Sequence, residues 1–235
     1  MAILSLLIPA ALLGLWFLST KIMQTTLAVL ADPEDRLRPR VHVPAIPELR
    51  ACLREVGDWT TRHAYHEDAM FDFHLALADD QPLFCQTWKN QDEATYLVLY
   101  FGLGKHFEEL VTIYDDKTGV TTTNAPDAHS LPAAPGAFIQ AFPGLDLDQL
   151  AARHHQGRQT LERRTGLVPQ NRTEDTRDLI VVSLKRQARY VMSIPGWKWK
   201  GAWWLTARKH WMIGKDVGWQ LDQFGVHEPT PGPRG

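Results

Sequence analysis

The chain is poor in cysteine. Cys52 and Cys85 are the only two in 235 residues. Two thiols make no disulfide framework. Cys52 falls on the apolar face of a predicted helix and Cys85 in a predicted strand, so both are expected as small buried hydrophobes. Short catalytic signatures are missing as well. There is no GxSxG, HExxH, CxxC or GxxxxGK[ST], which removes the serine-hydrolase elbow, the zincin helix, the dithiol redox motif and the P-loop. Gly102-Leu103-Gly104-Lys105 has part of a phosphate loop but no Ser/Thr after it and no helix start, so it reads as a strand connection. Glu108 and Glu109 are neighbours on a predicted strand; they face opposite sides and form no carboxylate pair. The expectation is a protein that leans away from enzymology, with no cofactor.

Charge is missing from residues 1–20, and Lys21 is the first charged side chain. Ile3, Leu4, Leu6, Leu7, Ile8, Leu12, Leu13, Leu15, Phe17 and Leu18 crowd this run. Twenty helical residues reach roughly 30 Å, the thickness of a hydrocarbon core. Ten such side chains favour insertion by roughly 3–6 kcal/mol, and Ser5, Pro9 and Gly14 take back part of that. The run has no polar face, unlike the helix of a soluble core. Residues 1–20 are therefore read as a transmembrane anchor. A cleaved signal is the rival, since Val29-Leu30-Ala31 before Asp32 has small-residue character. Against it, no Lys or Arg precedes the run, and the run is long. Lys21, Arg36, Arg38 and Arg40 follow it, so the N-terminus is expected outside and the body in the cytoplasm.

Acid is missing from 179–215. That window holds eight Lys and Arg with no Asp or Glu, in a chain of net charge −2. Within and just beyond it, residues 197–219 hold six of the nine tryptophans. At 100° per residue, Trp197, Trp203, Trp204, Ala207 and Trp211 fall within about a third of a turn. Tryptophan prefers the headgroup boundary, and Lys or Arg near an anionic surface contributes about 1 kcal/mol each. Trp197, Lys198, Trp199, Lys200, Trp203, Trp204, Arg208, Lys209 and Trp211 are therefore the candidate contact with the lipid bilayer, its anionic headgroups or integral membrane subunits. The competing readings are a tryptophan-filled core and, more weakly, nucleic-acid stacking, which a tethered chain of negative net charge disfavours.

What remains is ordinary for a folded domain: 44% hydrophobic and 22% charged. Pro33, Pro39 and Pro44 mark 21–46 as a juxtamembrane linker, and Pro47 opens the helix that follows. Leu49, Cys52, Leu53 and Val56 at i, i+3, i+4 and i+7 predict a short helix ended by Gly57. Alternating or apolar runs at 70–78, 83–88, 95–101, 107–114 and 120–123 predict an antiparallel meander of about five strands, with Thr121-Thr122-Thr123-Asn124 on an edge strand or at its end. Residues 125–144 are rich in Pro, Ala and Gly and carry no period. Helices follow from Asp146 or Asp148, with Leu147, Leu150, Ala151, His154 and Leu161 on one face, and from about Thr173 to Pro195-Gly196. The fold class is α+β: globular domain 47–194, basic Trp-rich segment 195–222, disordered tail 223–235.

Ten histidines raise the question of a metal. His63-Ala64-Tyr65-His66 and His154-His155 lack the three or four convergent ligands that zinc needs, so no metal site is expected. The alternative to a scaffold is a tethered enzyme or ligand-binding domain with a pocket between sheet and helices, using His74, His106, His154 and Glu109.

Overall fold

The structure is a computed structural model, and it describes residues 2–74, 81–115 and 117–227, with side chains from residue 11 onward. It begins with a single helix, α1 (Ala2–Ala31), followed by a 3₁₀ turn (Glu34–Arg36), β1 (Leu37–Pro39) and α2 (Pro47–Arg62). Then come β2 (His66–Phe73), β3 (Leu83–Asn90), β4 (Thr95–Gly102), β5 (Lys105–Ile113), β6 (Gly119–Thr123) and β7 (Ala137–Ala141). The C-terminal part holds α3 (Leu147–Thr165), α4 (Thr176–Ser193), α5 (Trp197–Trp203), a π-helical turn (Trp204–Arg208), α6 (Lys209–Met212) and α7 (Val217–Gln223). The expected strand residues 75–78 and tail residues 228–235 lie outside the described residues.

The α+β class holds, and the sheet is larger than expected. Seven strands lie in chain order from β1 to β7. All neighbours pair antiparallel except β6 and β7, which run parallel. The expected antiparallel meander corresponds to β2–β6. β1 was hidden in the proline-rich stretch, where an edge strand tolerates Pro39 at its end. β7 was hidden because it is short and carries a buried Gln140, which breaks the apolar alternation. The parallel return puts β6 inside the sheet, so Thr122 and Thr123 are buried and not on an edge. Residues 124–136 supply the dozen or so residues that such a crossover needs. Gly136 closes it at φ +85°, where an added Cβ would stand 2.5 Å from the Lys117 carbonyl oxygen.

The sheet is covered on both faces. β4, Thr-Tyr-Leu-Val-Leu-Tyr-Phe-Gly, is buried over nearly its whole length. Val98 and Tyr100 face a layer built by α1, α4 and α5, with Phe71, Phe73, Cys85, Ala188 and Val191. Leu97 and Leu99 face α2 and α3, with Cys52, Val56, Trp59, Trp88, Leu110 and Leu150. Each buried Leu or Val stabilises by about 1.5–3 kcal/mol.

Two helices extend past their expected ends. Gly57 does not stop α2, because Trp59 and Thr60 continue its buried face to Arg62; a glycine inside a helix costs only about 1 kcal/mol. α1 does not end at residue 20. It runs on to Ala31, where an extended linker was expected, because Met23, Leu27 and Leu30 recur on one face and are buried in the α4/α5 layer. α3 starts as expected, with Asp146 accepting from the Gln149 amide in a capping box. α4 starts at Thr176, capped by Asp175, a little after the expected start near Thr173.

Candidate functional site

The two halves of α1 meet different surroundings. From Ser19 onward one face is docked on the body: Ser19, Met23, Leu27 and Leu30 are buried. From residue 11 to Leu18 the helix is uncovered, with Leu12, Leu13, Leu15, Phe17 and Leu18 each more than half exposed. Trp16 marks the boundary. Its indole stacks on Trp199 of α5, ring centroids 4.7 Å apart and planes 11° from parallel. At helical rise the part of α1 from Ala2 to Leu18 is about 25 Å long. By length and composition α1 is able to cross a membrane. Near the boundary, the Ser19 and Thr20 hydroxyls donate to carbonyls one turn back, Leu15 and Trp16, at 2.9 Å. Those two hydroxyls are thereby paired without water. Lys21, the first cation, lies over the Phe17 ring at 5.6 Å.

The basic Trp-rich segment divides into buried and outward residues. Trp197 is buried; its indole N–H has no acceptor among the described residues, so it fills the core. Trp204 is half-buried, and its indole donates to the His129 carbonyl at 2.9 Å. Trp199, Trp203 and Trp211 are exposed, at 66%, 59% and 47%. Lys198 and Lys200 are exposed beside Trp199, and Lys209 is half-buried. The single tryptophan face drawn at 100° per residue is interrupted. The π-helical turn, closed by the Lys209 amide on the Trp204 carbonyl, inserts a residue and rotates everything after it. Trp211 then meets Trp219 edge-on at 5.0 Å. The Arg208 guanidinium lies 3.9 Å from the Trp211 ring centroid and the Lys215 ammonium 5.0 Å from it. The Gly214 amide donates to the Ala141 carbonyl, which pins this end of the segment to β7.

The four groups of the pocket reading do not converge. Glu109 faces the α1/α4 layer, where the Tyr100 hydroxyl donates to it at 3.4 Å and loss of water pushes its carboxyl up to about 7. His106 leaves the opposite face of β5, beside Glu108. His74 follows β2, its amide bonded to the Arg36 carbonyl. His154 is buried under α3. A cavity of about 580 Å³ does lie between α2, α3 and the sheet, lined in part by Trp59, His63, Tyr65, Asn90, His154 and Arg158. Most of its polar groups are engaged. Trp59 donates to Asp148, His63 bonds the Trp59 carbonyl, Asn90 donates to the His63 carbonyl, and Arg158 donates to Thr95.

The deepest polar feature is a chain of hydrogen bonds through His154. Its Nε2 lies 2.9 Å from Thr112 Oγ1 and its Nδ1 2.9 Å from Thr122 Oγ1. The neighbours fix the direction of every proton. Arg158 donates to Thr95, and Thr95 donates to the Glu93 carbonyl. The Thr112 hydroxyl therefore donates to Thr95, 3.2 Å away, and accepts from His154 Nε2–H. At the other end Gln140 donates to Thr122 at 2.6 Å, so Thr122 donates to Nδ1. The ring is a neutral Nε2–H tautomer, and burial pushes its pKa down to about 3. It clamps β5 and β6 to α3 and is not free to exchange protons with a ligand. Gly157 makes room for this chain: a Cβ there would sit 2.5 Å from Gln140 Nε2.

The expected metal candidates scatter too. His63 stacks on Trp59 at 4.0 Å, and His66 is exposed at the start of β2. His155 pairs with Gln159 while His154 turns inward. The chain matches no protein-family model, no curated protein and no solved structure.

Proposed function

We propose that the protein is a membrane-anchored accessory or scaffold protein. The uncovered half of α1 is its transmembrane anchor, and the basic Trp-rich segment holds the body against the bilayer or a larger membrane complex. The observation that carries this reading is the Trp16–Trp199 stack. It fixes the outward tryptophans of α5 at the level where α1 changes from docked to uncovered, which is where tryptophan partitions at a membrane surface. Trp199 stands against the emerging helix, and Trp203, Lys198 and Lys200 of the same short helix are exposed with it. The docked residues Met23, Leu27 and Leu30 argue for retention of the helix, since cleavage after Ala31 would strip the α4/α5 layer of three apolar side chains. The cations after the span, Lys21 first, support a cytoplasmic body. The scattering of His74, His106 and Glu109 supports the scaffold over the enzyme.

The test is recovery of the full-length protein from native membranes in mild detergent, with intact-mass analysis. The expected result is an uncleaved chain with stoichiometric membrane subunits attached. A lone chain beginning at Asp32 would sink the proposal.

A further inference from the structure

Cys52, His106 and Glu108 come together although nothing in their spacing announces it. Their sulfur, ring nitrogen and carboxylate oxygen all lie within 4.8 Å of one another. His106 and Glu108 are at i and i+2 of β5, so both leave the same face of the strand. Their register partners are Phe101 and Leu99 of β4. Cys52 comes down onto that face from α2, beside Leu97 and Leu99. His106 Nε2 stands 3.6 Å from Glu108 Oε1. With metal–sulfur bonds of about 2.3 Å and metal–nitrogen or –oxygen bonds of about 2.0–2.2 Å, tetrahedral ligand atoms sit about 3.3–3.7 Å apart.

We propose that Cys52, His106 and Glu108 bind one zinc-class divalent cation, stapling α2 to β5.

A second observation points to the same cation. Glu108 is 5% exposed, and among the described residues no Lys or Arg pairs with it. A buried carboxylate is costly without a compensating charge. Asn124 orients it from behind: Asn124 Nδ2 donates to Glu108 Oε2, while Asn124 Oδ1 accepts from the Glu108 amide at 2.9 Å. Oε1 is thereby left toward His106. Such outer partners hold ligating carboxylates in place at metal sites. The donor set of one soft sulfur, one imidazole and one carboxylate suits zinc. As the sulfur–zinc bond forms, the Cys52 thiol gives its proton to the buffer, one per ion bound. A dication with one thiolate and one carboxylate sums to zero charge, which suits a site closed on two sides. His106, 47% exposed, forms the open edge, and three protein ligands leave a fourth position for water.

The experiment uses the full chain in detergent, stripped with a chelator and titrated with zinc chloride, and in parallel with cobalt chloride. The proposal expects one ion per chain, a thiolate-to-cobalt charge-transfer band, and thermal stabilisation by zinc. Cys52→Ser should abolish the band, and His106→Gln, at an exposed position that does not threaten folding, should abolish tight binding. Asn124→Ala should weaken binding by about tenfold to a hundredfold. Cys85→Ser, on the other face of the sheet, should change neither binding nor spectrum. Absence of the band, binding unchanged in His106→Gln, or a band that follows Cys85 would each overturn the assignment.

Discussion

At the residue scale, groups held out of water set how the fold responds to pH. His154 is neutral in the fold, with its pKa pushed down to about 3 from an ordinary 6.5. Between those values the unfolded chain binds a proton that the native chain refuses, so stability falls as pH drops from 6.5 toward 3. Glu109 works the other way. Its carboxyl is pushed up to about 7 from 4.5, so the native chain keeps a proton that the unfolded chain has lost, and stability falls as pH rises from 4.5 to 7. Denaturant midpoints measured against pH should show both limbs. Glu109→Gln should flatten the upper limb, and His154→Leu the lower one. His154→Leu also leaves the Thr122 hydroxyl proton without its acceptor, at about 1–3 kcal/mol. Gly157→Ala should cost about 1–3 kcal/mol by displacing Gln140, read as a shift in midpoint at constant m-value. The sequence made little of this legible. Leu150, His154 and Leu161 lie on one predicted helical face, so a buried histidine could be read there. Its threonine partners are 42 and 32 positions away, and only the parallel return of β7 brings Gln140 to them. The Cys52–His106–Glu108 cluster was missed for the same reason. Its one local signal is a His and a Glu two apart on a strand, and its sulfur arrives from a helix more than 50 residues earlier.

At the element scale α1 is one helix with an uncovered part and a docked part. Local composition revealed the first, an apolar run free of charge. The second was obscured because Pro33, Pro39 and Pro44 drew the eye to a linker, whereas Met23, Leu27 and Leu30 already repeat at helical spacing. Leu27→Ala should destabilise the body by about 2–5 kcal/mol, in the range of a buried leucine truncation, while Leu13→Ala should leave its unfolding midpoint unchanged. Thermal or denaturant unfolding of the two variants in the same detergent separates the docked half from the uncovered half. The Trp-rich segment was legible as a composition but not as a face. The π-helical turn breaks the 100° period that drew Trp211 into line with Trp203. The meander β2–β6 was legible because its turns are short and its strands alternate; β1 and β7, short and flanked by proline, were not.

At the scale of the whole molecule the proposed anchor, the outward tryptophans of α5 and the cations that follow the apolar run make one picture. Val41 is 81% exposed and lies on the body side of α1. Val41→Cys in sealed cells should resist a membrane-impermeant maleimide and react once the membrane is opened; Cys52 and Cys85 are buried and should contribute little. The central claim is that Trp16 and Trp199 sit at the headgroup level. It is tested most directly by tryptophan emission in vesicles whose lipids carry bromine either near the headgroup or at the chain end. Stronger quenching by the shallow bromines is expected, with loss of that difference in the Trp16→Phe, Trp199→Phe, Trp203→Phe triple variant. Equal emission in both vesicles, or a difference untouched by the triple variant, would contradict it.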